Sequence, residues 1–191
     1  MKFPAMPKSR SIQTGTSLIE VLVAMTLLSF GMLSLAAMTA FAVQMPKLSG
    51  YRATAVNLAA DHIDRMRANP IGFGNGGYDK PSSYDSSRVV LAMGGSDSCE
   101  YPACNASTIS TMDSAVTKVA VRAGLPAGGV LMSRDSNTGT ASSTEGNLWI
   151  MWQEPDSRAS LNAATSDNCP AEVTLNYGSS KPRCLYVRFK L

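Results

Sequence analysis

Gly15-Thr16-Ser17-Leu18-Ile19-Glu20 decides the fold, because it joins a short basic leader to a long apolar run that carries no other charge. The run extends from Leu18 to about Val43, roughly 26 residues, whereas a helix needs only about 20 to span a bilayer. The sequence therefore predicts one hydrophobic helix, placed at residues 16–45, that is long enough to cross a membrane.

Three cations and no acidic residue precede the apolar run: Lys2, Lys8 and Arg10. The positive-inside bias keeps this end cytoplasmic and places the chain after Val43 on the other side of the membrane. A cleaved secretory signal, cut near Ala36 or Ala37, fits less well, because its apolar region usually spans only about 7 to 15 residues without an acid. A plain anchor leaves Glu20 unexplained, since a carboxylate at membrane depth marks a functional site by default.

The segment from Gly15 to Ala24 resembles the type III signal of type IV pilins and pseudopilins. The resemblance implies that a prepilin peptidase cuts after Gly15, that the new N-terminal residue Thr16 is methylated, and that Glu20 pairs with the N-terminal amine of a neighbouring subunit. An ammonium within hydrogen-bond reach would keep the carboxylate ionised and fix the axial register. Thr16 stands where major pilins usually have phenylalanine, which favours a minor, low-abundance subunit.

This interpretation divides the chain into a leader (1–15), the hydrophobic helix (16–45) and an extracytoplasmic head (46–191). Of the 17 Lys and Arg residues, three lie in the leader and the remaining 14 equal the 14 Asp and Glu residues. The mature chain is therefore formally neutral. Nucleic-acid binding would require a clustered basic face on the head itself, so no nucleic-acid partner is expected.

A second, amphipathic helical stretch follows Pro46, where we expect a kink or break, and Gly50, a second soft point. It ends at Asn69-Pro70. Its apolar residues recur at intervals of three and four: Tyr51, Ala55, Leu58, Ala59, Ile63 and Met66. Such a stripe must pack against another layer, and a sheet formed by the rest of the chain supplies it.

A further helix is predicted between Ser107, as its cap, and Gly124-Pro126. Its apolar face would consist of Ile109, Met112, Val116, Val119 and Ala123. Strands are predicted at 130–133, 148–153, 173–177 and 185–191, with a less regular one at 88–93 and a hairpin loop at 135–147. The expected class is α+β. Together with the resemblance, this is the type IV pilin fold, a long N-terminal helix packed on an antiparallel sheet with a second short helix.

Four cysteines allow three disulfide pairings. In an oxidising compartment disulfides are the natural state, and proximity in sequence favours Cys99 with Cys104 and Cys169 with Cys184. A zinc site would normally show closely spaced ligand pairs, which the chain lacks. No metal or other cofactor is expected.

No pattern typical of catalysis is found. His62 is the only histidine and lies beside the apolar face of a helix, which favours a satisfied or surface residue over a general base. The glycine-rich stretch at 71–87 has no following Lys-Ser/Thr and therefore does not predict a nucleotide site. Trp149 and Trp152 should point to opposite sides of a strand, which excludes one flat sugar-stacking platform. We expect the protein not to be an enzyme.

Four head segments resemble the type IV pilus modification protein PilV family: 66–70, 104–113, 125–129 and 152–154. The resemblance implies a minor pilin that joins other minor pilins and the major pilin at an inner-membrane assembly platform, primes the filament and lies near its tip, supporting twitching motility and adhesion. It would rest in the inner-membrane lipid with a periplasmic head before entering the extracellular pilus. Two alternatives remain open, a minor pseudopilin of a type II secretion system and a membrane-anchored extracytoplasmic ligand-binding protein.

Overall fold

The computed structural model describes residues 15–137, 139–154, 167–176 and 182–191. The helices are α1 (Leu18–Ala68), α2 (Pro70–Gly74), α3 (Ala106–Gly124) and α4 (Ala171–Asn176), and the strands are β1 (Gly129–Asn137), β2 (Thr140–Trp152) and β3 (Arg183–Lys190). The strands form one antiparallel sheet in the order β1-β2-β3. The long apolar N-terminal helix, this sheet and two disulfides confirm the predicted α+β layout.

The chain separates into two compact units, one ending at Pro46 and the other running from Lys47 to Leu191. The helix α1 contributes to both, because it is assigned as helical without interruption over 51 residues. The chain is therefore not broken as a helix at Pro46, and the kink predicted there as the alternative stays a prediction. Proline removes one amide donor, which would otherwise reach the carbonyl of Ala42.

The second part of α1 carries the predicted apolar stripe. Its most buried members are Ala55, Ala59, Ile63 and Met66, and Tyr51 and Leu58 pack beside them. Two of these residues are alanines, so the helix backbone approaches its neighbours closely. The helix ends at Ala68 as predicted, and Pro70 begins α2, where its missing amide hydrogen costs nothing.

The two faces of the sheet bury different clusters. The face towards the α1 stripe includes Met132, Leu148, Ile150, Trp152 and Phe189. The opposite face includes Leu131, Met151 and Cys184, covered by Tyr84 and Val173. Trp149 lies on this second face, against the ring of Tyr186 at 5.1 Å between centroids. The opposite orientation predicted for Trp149 and Trp152 is confirmed.

The strand predicted at 173–177 is wrong over residues 173–176, where α4 (Ala171–Asn176) is found instead, and Tyr177 lies outside the described residues. The backbone N–H of Val173 donates to the carbonyl of Pro170 at 3.1 Å, which opens the helical turn. Val173 is 1% exposed and packs on the face of the sheet opposite the α1 stripe. Burial of that side chain, rather than the local β-propensity of the segment, decides its structure.

The β1–β2 hairpin is tighter than predicted, because β1 reaches Asn137 and β2 starts at Thr140. Ion pairs between strands stabilise the polar ends of β1 and β2 in this region. Arg188 contacts both Asp135 and Glu145, and Lys190 lies 3.2 Å from Glu145. The stretch 88–93, by contrast, forms no strand. Its Val89 and Val90 are exposed, so no buried face favours pairing there.

The helix α3 begins two residues earlier than predicted and is capped by Asn105, not Ser107. The Asn105 carboxamide oxygen accepts the backbone N–H groups of Ser107 and Thr108, each at 3.0 Å. The predicted buried face is also wrong, because its apolar residues are only partly buried and Ala123 is exposed. The buried face consists of Ser110, Asp113, Thr117, Val121 and Arg122.

Candidate functional site

The segment that carries the predicted processing site lies immediately before α1. Gly15, Thr16 and Ser17 are exposed and non-helical. The carbonyl of Ser17 accepts the backbone N–H groups of Glu20 at 3.0 Å and Val21 at 3.3 Å, which starts the helix. Accessible irregular backbone is what a peptidase requires. The rest of the predicted leader, residues 1–14, lies outside the described residues.

Glu20 occupies the first turn of α1 and is exposed. A carboxylate there interacts favourably with the positive end of the helix dipole. Among the residues that the structure describes, no side chain or backbone group bonds to its carboxylate. The geometry therefore leaves this group open to a partner from another molecule, and its pairing with a neighbouring amine stays a prediction.

The apolar half of α1 exposes its side chains all round. Leu18 is 80% exposed and Phe30 is 71% exposed, and no residue of the most apolar stretch is buried. At about 1.5 Å per residue the segment Leu18–Val43 measures roughly 39 Å, which exceeds the hydrocarbon core of a bilayer, about 30 Å. The helix is long and apolar enough to cross a membrane.

Hydroxyl groups within this half bond to the helix itself. They donate to backbone carbonyls three or four residues earlier, at 2.8–2.9 Å: Thr26, Ser29, Ser34 and Thr39. In an apolar medium an unpaired hydroxyl is costly, so these bonds let polar side chains remain in lipid or in a packed helical core. Apart from Glu20, the segment thus presents no polar group that needs an outside partner.

The predicted disulfide pairing is confirmed. Cys99 and Cys104 are joined shortly before α3, with their Cα atoms 5.3 Å apart. Cys169 and Cys184 join the chain before α4 to β3, with their Cα atoms 5.4 Å apart. In the chain-entropy treatment this second bridge stabilises the fold by about 3 kcal/mol. Within the described ranges, no group of three His, Cys, Asp or Glu residues is placed to hold a metal ion.

A buried polar cluster in the head was missed by the sequence analysis. Tyr78 donates its hydroxyl to Asp113 at 2.6 Å, and Arg65 lies 3.6 Å from the same carboxylate. Asn69 donates to the carbonyl of Ala106 at 2.8 Å and contacts the Tyr78 hydroxyl at 3.3 Å. Burial, followed by the hydrogen bond to Asp113, raises the pKa of Tyr78 above its ordinary value. The cluster ties α1, α2 and α3 together through satisfied polar groups.

His62 belongs to the same region and is 2% exposed. Its Nδ1 lies 2.7 Å from the hydroxyl of Thr117 on α3. Burial lowers the pKa of His62 to about 4, opposed by Asp113 and Asp61 and assisted by Arg65. The imidazole is therefore neutral at neutral pH, and its Nδ1 is satisfied by Thr117.

Two features of the sequence signal this cluster. Ser110, Asp113 and Thr117 recur at intervals of three and four and so share one face of α3. Glycines mark the close contact with that face. A Cβ on Gly77 would meet the Ser110 hydroxyl at about 2.3 Å, and one on Gly72 would meet the carbonyl of Ala106 at about 2.7 Å. The glycine-rich stretch thus serves close packing.

The described residues comprise an α+β head and an apolar helical segment of membrane length, whose first turn carries an exposed carboxylate just after irregular backbone. No protein-family model, no curated protein and no solved structure matches the chain.

Proposed function

We propose that this protein is a minor pilin of the type IV pilus, of the PilV kind, which primes filament assembly with other minor pilins and lies near the tip. The observation that carries the proposal is the exposed apolar half of α1 with Glu20 as its only ionisable group. A membrane anchor requires no carboxylate at that depth, whereas a filament subunit gains a register from it.

The apolar half of α1 is exposed to two apolar environments in turn. Before assembly its side chains contact inner-membrane lipid, and after extraction they contact the helices of neighbouring subunits. Because lipid and filament core are similarly apolar, transfer between them depends on packing rather than on a hydrophobic gain. The internally bonded hydroxyls of Thr26, Ser29, Ser34 and Thr39 suit both surroundings.

Glu20 supplies the directional contact in this scheme. Its carboxylate pairs with the methylated amine of Thr16 in the next subunit, which fixes the axial position of one helix against another. A prepilin peptidase must first release that amine by cutting after Gly15. The other partners are the major pilin and the inner-membrane platform from which the subunit is extracted.

The head is suited to the periplasm and the cell exterior. Both disulfides require an oxidising compartment, and the described cysteines are all paired. A minor pseudopilin of a type II secretion system would use the same N-terminal device. Deletion separates the two machines, because loss of surface pili and twitching motility supports the pilus, whereas retained pili with lost exoprotein secretion supports the pseudopilin.

The decisive experiment is the intact mass of the membrane-extracted protein, with its N-terminal peptide, from cells with and without active prepilin peptidase. We expect a peptidase-dependent start at methylated Thr16. The Gly15→Leu variant should retain the full leader under the same conditions. A start at Met1, or after Ala36 or Ala37, would contradict the proposal, as would efficient cleavage of Gly15→Leu.

A further inference from the structure

A cleft of about 330 Å³ opens in the head between α1, α3, residues 78–83 and β1. Its size lies within the range of pockets that hold small molecules, about 300–1,000 Å³. None of the contacts assigned above to filament assembly involves it. Three kinds of group line it: cations, hydroxyls and one buried imidazole.

The cations are Lys80 and Lys118. Basic side chains elsewhere in the described ranges have partners: every arginine there bonds to a carboxylate or to an amide oxygen, and Lys190 pairs with Glu145. The ammonium groups of Lys47, Lys80 and Lys118 alone have no partner within those ranges. Two of these three unpaired ammonium groups therefore line one cleft.

The imidazole is that of His62, which is 2% exposed and lines the cleft. Its Nδ1 is engaged by the Thr117 hydroxyl at 2.7 Å, whereas its Nε2 has no hydrogen-bond partner within the described ranges. This nitrogen is not fully buried, so it is available to a molecule that enters the cleft. A neutral imidazole can bond a hydroxyl in either tautomer.

The hydroxyls of Ser83, Thr111 and Ser114 surround the same space. Each donates its hydrogen to a backbone carbonyl, of Val130, Ser107 and Ser110 respectively, at 2.7–3.2 Å. Ser83 Oγ also accepts the backbone N–H of Val130 at 2.9 Å and keeps one lone pair, whereas Thr111 and Ser114 keep two each, so all three can accept from a ligand. A ligand that suits them must carry several O–H or N–H donors.

The charged side chains that line the cleft restrict the class of ligand further. Asp97 also lines the cleft, so its carboxylate offsets one of the two lysines. The net charge of the lining then suits a single negative charge and disfavours a phosphate, which carries more. Hydroxyl acceptors, an open imidazole nitrogen and one surplus ammonium together match a ring with several hydroxyls and one carboxylate. We propose that this cleft binds an acidic sugar, a monosaccharide of the uronic acid class.

His62 makes the test direct, because it is the only histidine of the chain and its ring Cε1–H resonance reports on the cleft alone. The full chain in detergent micelles is titrated at fixed neutral pH with galacturonate, with galactose and with acetate. Galactose keeps the hydroxyls without the charge, and acetate keeps the charge without the hydroxyls. We expect a saturable shift with galacturonate, and binding at least about tenfold weaker with each of the other two.

The variant Lys80→Gln/Lys118→Gln should weaken galacturonate binding by about tenfold or more, because it removes the charge-assisted bonds. Lys47→Gln removes the third unpaired lysine, which lies on α1 and does not line the cleft, and should leave the affinity unchanged. The proposal is overturned if galacturonate produces no saturable shift of the His62 resonance, if galactose or acetate binds equally well, or if Lys47→Gln weakens binding as much as the double variant does.

Discussion

The two halves of α1 have the same backbone and opposite surroundings. From Leu18 to Val43 the large apolar side chains are between 45% and 80% exposed, whereas Ala55, Ala59 and Met66 in the other half are at most 1% exposed. The first half is apolar around its whole circumference and bonds its hydroxyls to itself. The second half is amphipathic, and its His62 and Arg65 bond to Thr117 and Asp113 of α3.

This difference shows that the two halves of one helix are stabilised by contacts with different partners. A helix that is apolar all round finds its stabilising contacts in lipid or in other subunits, whereas an amphipathic helix finds them within its own chain. Substitutions in the first half should therefore change membrane insertion and assembly, and matched substitutions in the second half should change the free energy of unfolding of the head.

The largest effect is expected for Glu20→Ala. Removal of one partner from a buried ion pair costs about 3–5 kcal/mol, so recovery in sheared pili should fall by at least about 100-fold relative to the membrane pool. Cleavage by the peptidase should persist. Quantitative immunoblotting of both fractions measures this, with Glu100→Ala, an exposed head position, as the control. Normal recovery of the Glu20 variant in pili would refute the register role.

A matched pair of methionines tests the packing difference directly. Met66 is fully buried and Met32 is 62% exposed. Met66→Ala should lower the free energy of unfolding of the head by about 2–5 kcal/mol, because it removes buried methylene groups and leaves a cavity. Met32→Ala should change it by less than about 0.5 kcal/mol. Denaturant unfolding in micelles, followed by tryptophan fluorescence, distinguishes them, and equal losses would contradict the division.

We expect acid to lower the free energy of unfolding of the head through His62, which lies in the amphipathic half of α1. Its pKa is about 4 in the folded chain and 6.5 when unfolded, so protonation favours the unfolded state. The stabilisation is complete above pH 6.5 and is lost as the pH falls towards 4, by about 3 kcal/mol in all. The His62→Gln variant should not show this pH-dependent loss of stability. Unfolding free energies at pH 7, 5.5 and 4 for both proteins measure it, and parallel pH profiles would disprove it.

A pair of threonines gives the smallest expected difference. Thr117→Val leaves Nδ1 of buried His62 without its partner and should cost about 1–3 kcal/mol of head stability. Thr39→Val removes a hydroxyl that bonds only to the carbonyl of Ala36 within the apolar half, and should cost the head less than about 0.5 kcal/mol. Thermal melts of both variants provide the measurement, and a larger loss with Thr39→Val would reverse the comparison.

The parts of the fold that could be predicted from sequence are those in which a single hydrophobic periodicity determines which side chains are buried. The stripe from Ala55 to Met66 and the alternation from Leu185 to Leu191 each arise because one side of the element faces apolar atoms. The membrane-length helix and Glu20 were equally visible, because a charge in an apolar run stands out without any knowledge of the tertiary structure.

Other parts depended on partners distant in sequence. The buried face of α3 contains Asp113 and Thr117, whose partners Tyr78 and His62 come from other segments, so an apolar-stripe criterion selected the wrong face. The segment at α4 has β-branched residues, but packing of Val173 beside the Cys169–Cys184 bridge overrides them. The candidate cleft was invisible for the same reason, because Lys80 and Lys118 meet only in the folded head.

The opposite placement of the two tryptophans gives the head two built-in emitters. Trp152 is 1% exposed, and its indole nitrogen has no hydrogen-bond partner in the part of the chain that the structure describes. Trp149, on the other face, donates its indole N–H to the carbonyl of Asn168 at 3.0 Å. Trp149→Phe leaves an emitter that reports the contact of the sheet with α1, and Trp152→Phe leaves one that reports the cover near α4. Spectroscopy can thus follow each side of one three-stranded sheet separately, without an added label.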